Sequence, residues 1–453
     1  MQYAVQLGSN PGVALVVGLL LFGLGRMIIQ RVAHAEQDPW LLKVLTIALA
    51  VHLISAPLQI WVVDHVYHGI ADWTRYTHVG AALAPNFRHF DFSLAGANVR
   101  QIVNDGSVSI ATGIVMAIVG INLTATFLVF SFLSFIGAIC FYRAFTTTFP
   151  RANTHRYAVL VFFLPSLVFW TSDVSKESIM MLGLGLTAYG AAKLFAHQRG
   201  AIALVIPGVI IGYYIRPNEL LLVLSGFAVG MMVPSESVRR KLGGIRRAAS
   251  LAFLGALVVF SWFLTVHYLH GGTLSLSQVS ANNSAGSGLG FGSSGVPYSS
   301  DPATFPRDVY EVLFNPLVIK AHGNSQRVAG LENLMIVVII LASLRQLRIL
   351  PRVTFARPYV MMCLVYSAAF IYTFAALGNL GLIERERVML LPFFLVLFCI
   401  PRGPKGAPPR YPWELRRKDR LQLRAVLEHA AAKQREAERL AANPVAAPDP
   451  VHR

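Results

Sequence analysis

Long apolar runs separated by short polar seams organise this chain. Runs long enough to cross a hydrocarbon core of about 30 Å, which takes roughly 20 helical residues, recur from Val13 to Pro401. Barrel strands would alternate apolar and polar positions, so these runs read as helices. They predict spans at about 12 to 30, 41 to 63, 123 to 146, 157 to 172, 178 to 196, 201 to 215, 219 to 233, 250 to 268, 331 to 346, 358 to 376 and 388 to 400. The run "SVSIATGIVMAIVGI", Ser107 to Ile121, is apolar enough to cross but holds two glycines and ends directly in "NLT". The expected fold is all-α: a polytopic transmembrane helix bundle of about eleven spans, with one re-entrant or interfacial helix near 108 to 121.

Outside the spans, the pattern predicts a bundle over 1–400 with outer loops at 64–122 and 269–330, followed by a charged tail at 401–453. The first loop is too aromatic and apolar for a disordered linker. The second starts as low complexity, "SQVSANNSAGSGLGFGSSG", and turns more ordered at "FPRDVYEVLFNPLVIKAHG", which reads as a mobile flap leading into a structured segment. In the tail, Leu423, Val426, Leu427 and Ala430 recur at helical spacing beside Arg416, Arg417, Lys418 and Arg420. That helix either lies on anionic lipid or binds a cytoplasmic partner, or it is a solvated topogenic segment.

Composition sharpens the membrane reading. Hydrophobic residues make up 55% and charged residues 13%, with a mean hydropathy of +0.56, against about 25% charged in a soluble domain. Cys140, Cys363 and Cys399 all lie inside apolar runs, where no disulfide between exposed loops can form. The start, "MQYAVQLGSNPG", lacks a basic n-region and a small-residue cleavage site, so the first run is expected to be a retained helix. The net charge of +17 raises the question of a nucleic-acid partner, and its distribution answers it. Lys and Arg sit in blocks between apolar runs: Arg26, Arg31 and Lys43; Arg143, Arg151 and Arg156; Lys193 and Arg199; Arg239 to Arg247; Arg345 to Arg352; and the tail. If the 107–121 run does not cross, every block faces the cytoplasm, with the N-terminus outside and the C-terminus inside. That is a topology signal, and it excludes nucleic acid.

A second set of charges then falls on the outer edge, where basic residues should be sparse. The first loop carries Asp72, Arg75, Arg88, Asp91 and Arg100; "FWTSDVSKES" carries Asp173, Lys176 and Glu177; "YYIRPNELLL" carries Arg216 and Glu219; and "LIERERVMLLP" carries Glu384, Arg385, Glu386 and Arg387. Ionisable groups at membrane depth are expensive and mark sites. Lys176, Arg216, Arg385 and Arg387 suit a lipid-borne phosphate, with Glu177 and Glu219 beside them. The alternative pairs Lys176 with Asp173, Arg216 with Glu219 and Glu384 with Arg387 as hairpin staples. In "HGIADWTRYTHVGAAL", Asp72 and Tyr76 share a helix face with Arg75 adjacent. Asp72 is the candidate general base for a sugar hydroxyl, or else a helix N-cap; Asp91 is the reserve acid. The histidines near His65, His68, His78 and His89 match no strong zinc spacing, and no metal or other cofactor is expected. No Walker loop, dinucleotide fingerprint or GxSxG elbow is present.

"ADWTRYTHVGAAL", "PSLVFWTSDVSKESIMMLGLGL", "YYIRPNELLL" and "LIERERVMLLPFFL" together resemble bacterial GT-C-type glycosyltransferases and the related envelope polysaccharide polymerases. The resemblance covers most of the membrane region and not the tail. It implies a GT-C-like bundle in the plasma membrane that moves a sugar or glycan from a polyprenyl-phosphate donor to a glycan or lipid acceptor at the outer face. Asp72 would act as base, and Arg75, Tyr76, Lys176, Glu177, Arg216, Glu219, Arg385 and Arg387 would bind substrates. Three departures are visible: the acidic loop follows the second span instead of the first, no second strongly acidic loop motif is present, and no soluble outer domain follows. The rival function is a flippase or transporter of lipid-linked glycans, which predicts polar residues at mid-membrane depth, and the third is a non-catalytic assembly partner.

Overall fold

The computed structural model describes residues 8–233 with short breaks at 9, 67–70, 95–98, 100–101, 151 and 153, then 302–318, 324–375 and 380–401, with a few isolated positions. All regular structure among the described residues is helical. Helix starts are written in the sequence as a capping residue followed by proline. Asn10 caps α1 (Pro11–Glu36) by accepting from the Gly12 amide at 2.9 Å. Asp38 caps α2 (Pro39–His65) by accepting from Trp40 at 3.0 Å, after Gln37 closes α1 at φ 53°. There follow α3 (Asp72–Arg88), α4 (Asp105–Val119), α5 (Leu123–Thr148), α6 (His155–Phe163), α7 (Pro165–Phe169), α8 (Lys176–Phe195), α9 (Ile202–Ile215) and α10 (Pro217–Met232). Beyond residue 301 come α11 (Phe305–Phe314), α12 (Asn324–Ala342), α13 (Leu344–Leu347), α14 (Leu350–Ala356), α15 (Pro358–Phe374) and α16 (Leu380–Phe398).

Among the described residues four helices are long and apolar enough to cross a membrane: α1, α2, α5 and α8, or five spans if the bent pair α14 and α15, at 114° to each other, counts as one. Several apolar helices of this kind make a helical membrane protein. The expected count of about eleven does not hold among the described residues. The segment expected at 157 to 172 breaks at Leu164–Pro165 into pieces of 9 and 5 residues. With 14 and 16 residues, α9 and α10 reach only about 21 and 24 Å at 1.5 Å per residue. Inside their length, α12 carries Arg327 and Glu332, and α16 carries Glu384 to Arg387. The expected span at 250 to 268 and the glycine-rich flap lie outside the described residues. The chain divides into two compact units, Met1–Ile400 and Pro401–Arg453; only six positions of the second are described, five of them helical, so most of the amphipathic tail also falls outside them.

Burial grades the helices of the first unit. Only 17% of the apolar stretch of α1 is buried, against 78% for α5 and 72% for α8, so α5 and α8 form the centre and α1 offers Leu15, Leu19, Leu20 and Met27 outward. Lipid is as apolar as these side chains, so close packing, more than exclusion of water, holds such helices together. The α5–α8 crossing shows it: a methyl group on Gly137 would collide with the Met181 carbonyl, and one on Gly185 with the Gly137 carbonyl.

The stretch expected as the first outer loop is a helical hairpin. Gly80 of α3 lets Thr112 of α4 approach, and Arg88 closes the end of α4 by donating to the carbonyls of Ala117 at 3.0 Å and Met116 at 3.2 Å. Its other end is tied to α9, where the Asn104 amide and the Ser107 hydroxyl donate to the Tyr214 carbonyl at 2.7 and 2.9 Å. That tie brings the starts of α3 and α4 beside the α9–α10 junction.

Candidate functional site

Charged residues from five segments meet at this end of the bundle. Their placement follows from local rules. Ser175 is extended (φ −141°, ψ 170°) and its side chain accepts from the Ser178 amide at 3.3 Å, while Ser178 returns the bond at 3.4 Å. This reciprocal cap starts α8 at Lys176 and sends Lys176 and Glu177 in directions about 100° apart. Pro217 disfavours helical backbone at Arg216, which is extended (φ −149°, ψ 83°); the helix breaks there between α9 and α10 and that arginine turns inward.

Glu177 is the hub, with none of its side chain exposed. It accepts from Arg216 at 2.6 Å and from Arg385 at 2.8 Å. Arg216 also pairs with Glu219 at 3.0 Å and with Glu386. Arg385 reaches outward to Asp72 at 2.6 Å, whose side chain is 61% exposed. A buried carboxylate is tolerated when charges and hydrogen bonds are satisfied together, and Glu177 meets that condition with two guanidinium groups.

Beside this chain lies a second cluster. Asp105, in the first turn of α4, receives Lys176 at 2.5 Å, Arg75 at 3.0 Å and the Tyr76 hydroxyl at 3.1 Å. Burial opposes the Asp105 charge, but Lys176, Tyr76 and Arg75 together outweigh it and hold the carboxyl below its ordinary range. Burial pushes the Tyr76 hydroxyl well up, and Asp105 and Asp72 add to that, so Tyr76 is a hydrogen-bond donor at neutral pH. Asp173 lies in the turn before α8. Burial raises it to about 7 against the attraction of Arg385, and its Oδ1 has no hydrogen-bond partner among the described residues.

The structure joins Asp72, Arg75, Tyr76, Lys176, Glu177, Arg216, Glu219 and Arg385 in these two clusters, and gives Arg387 different company. Arg387, 1% exposed, donates to Asn333 at 2.6 Å and to the Leu313 carbonyl at 3.1 Å, with Glu332 at 3.9 Å. Two residues along a helix point about 200° apart, which is why Arg385 and Arg387 part. Of the three proposed staples, Arg216–Glu219 is present, but Lys176 takes Asp105 instead of Asp173. Asp72 is not the N-cap; Ala71 holds that position and Asp72 opens the helix. Asp91 lies apart and accepts from the Ser93 amide at 2.9 Å, and His68 lies outside the described residues. Among the described residues no three metal-binding side chains gather.

Sequence reasoning missed Asp105, Glu332 and Asn333. Asp105 follows Asn104 and precedes an apolar helical run, a helix-start signature that places a carboxylate at an N-terminus. Glu332 is an acid inside an apolar segment, which is itself a signal; it accepts from both the amide, at 2.9 Å, and the hydroxyl of Ser166. No protein-family model, no curated protein and no solved structure matches this chain.

Proposed function

We propose that this protein is a GT-C-like glycosyltransferase or polysaccharide polymerase of the bacterial plasma membrane, acting at its outer face in envelope polysaccharide or glycolipid synthesis. The observation that carries the reading is the exposed Asp72 carboxylate at the rim of a buried charge chain assembled from distant segments. Asp72 takes the proton of the acceptor hydroxyl, whose oxygen attacks the anomeric carbon with inversion. The anomeric carbon–oxygen bond breaks, and polyprenyl phosphate leaves with the bonding pair. Arg385 orients Asp72, while Glu177 and Arg216 hold Arg385 in place. Arg216 and Arg385 both hold the fully buried Glu177, whereas Lys176 and Arg75 hold Asp105, which reaches solvent and is open to displacement, so the donor phosphate falls to Lys176 and Arg75.

The test uses the purified full chain in nanodiscs with a panel of polyprenyl-phosphate sugars, following release of polyprenyl phosphate. Asp72→Asn should lower that release about 10²–10⁴-fold with folding unchanged. Release equal to wild type rules Asp72 out as base. Transport of a lipid-linked glycan is the second reading, favoured by one observation. His52, at the centre of α2, is buried with the Phe162 backbone beside its ring, and the hydroxyls of Ser131, Ser134, Thr171 and Ser172 lie in the same buried seam. Flipping in proteoliposomes that is lost in His52→Ala but kept in Asp72→Asn would move transport ahead.

A further inference from the structure

At the exposed rim, three donors from two helices converge on one carboxylate. Lys176, Arg75 and Tyr76 all end on Asp105, at 2.5, 3.0 and 3.1 Å. The side chains of Arg75 and Asp105 remain 54% and 37% exposed, so this carboxylate opens to solvent, whereas Glu177 is fully enclosed; Lys176 itself is mostly buried, like Arg216 and Arg385. Two cations and a hydroxyl donor at hydrogen-bond distance from two oxygens form a set that recognises any compact oxyanion. A phosphate carries more charge than a carboxylate and offers a third strong acceptor oxygen, so it makes stronger bonds to the same donors and competes with the tethered Asp105 for them.

We infer that Arg75, Tyr76 and Lys176 form a phosphate-binding site and that Asp105 fills it in the ligand-free chain as an internal competitor. The assignment rests on the reading above only in naming the donor's phosphate as the natural occupant. Three features support it. Asp105 opens α4, the end at which a helix favours an anion. Lys176, Tyr76 and Arg75 together keep Asp105 ionised against burial, and the raised Tyr76 keeps its proton to donate. Occupation by phosphate would release Asp105 and with it the link from α4 to Lys176, so ligand arrival loosens the hairpin from α8 at the place where Asp72 meets Arg385. An ordinary structural clamp would contain the same three bonds, but it predicts that removing the Asp105 charge only weakens the protein.

Isothermal titration of the full-length chain in zwitterionic phosphatidylcholine nanodiscs separates the two. The probes are inorganic pyrophosphate and, separately, farnesyl phosphate. Asp105→Asn should bind at least one of them roughly tenfold more tightly than wild type, and Lys176→Gln in the same background should cancel the gain. A gain with pyrophosphate alone supports the site with a soluble occupant, and a gain with farnesyl phosphate alone supports it with a lipid-borne one. Affinity that is unchanged or weaker for both probes in Asp105→Asn overturns the inference. Asp105→Ser is titrated alongside, so a folding failure of one variant leaves the other decisive. Tighter binding without sugar transfer would sink the transferase reading and keep this site; transfer with no gain in binding would do the reverse.

Discussion

At the scale of single residues, the chain treats charge as something to be matched before it can be buried. Glu177 is fully enclosed and depends on Arg216 and Arg385 together. Removing one partner of a buried pair leaves an uncompensated charge and typically costs about 3–5 kcal/mol. Arg385→Met should therefore lower stability by that order, whereas Arg385→Met with Glu177→Gln should recover much of the loss; thermal midpoints of the four forms in one detergent test this. Asp173 makes a separate, pH-dependent prediction. Its folded carboxyl is raised by burial to about 7, from 3.8 when unfolded. The unfolded chain thus loses this proton first, and Asp173 makes the protein less stable as pH rises from 3.8 to 7, with no further change above. The midpoint of Asp173→Asn minus that of wild type should widen by a few degrees across that window. A difference independent of pH would mean that Asp173 ionises at its ordinary value.

At the scale of elements, helix length and closeness of approach decide what each segment can do. The break before Pro165 splits a segment that hydropathy alone runs from 157 to 172, while the turn at Arg216–Pro217 falls at the boundary expected between 215 and 219; proline removes an amide and disfavours helical backbone at the residue before it. Those breaks also place charges, since Arg216 could not turn inward from a continuous helix. The contact of α5 with α8 needs bare glycines, and Gly185→Leu should cost about 1–3 kcal/mol or more through forced separation. Gly23→Leu is the matched control: nothing lies within 4 Å of a methyl group built there. Equal midpoints for the two variants would contradict the tight crossing. That crossing left little trace in hydropathy, because glycine scores the same whether it lines an interface or a loop.

At the scale of the whole molecule, α2 separates two chemically different ends. At its start, Glu36 pairs with Arg143 and Asp38 with His155 at 2.7 Å; beyond its finish lies the Asp72 and Asp105 region. Topology predicts that the second end faces outward. The three native cysteines are buried, so single introduced cysteines report cleanly. Ser93→Cys should react with a membrane-impermeant maleimide on intact cells, and Ala35→Cys should react only after lysis; the reverse pattern would invert the protein and move the site to the cytoplasm.

The sequence by itself determined the helical class, the membrane character and the positions of most helices. Those depend on runs of neighbouring residues, and hydropathy and capping are local properties of the chain. It also marked nearly every charged residue of the site, because a charge in so apolar a chain stands out wherever it falls. Only the tertiary structure decided which charges meet. Arg385 pairs with Asp72 across 313 positions, Lys176 passes over nearby Asp173 for Asp105, and Arg387 leaves the set for Asn333. Pairing is set by which helix ends pack together and which face each residue occupies, and no local pattern encodes that.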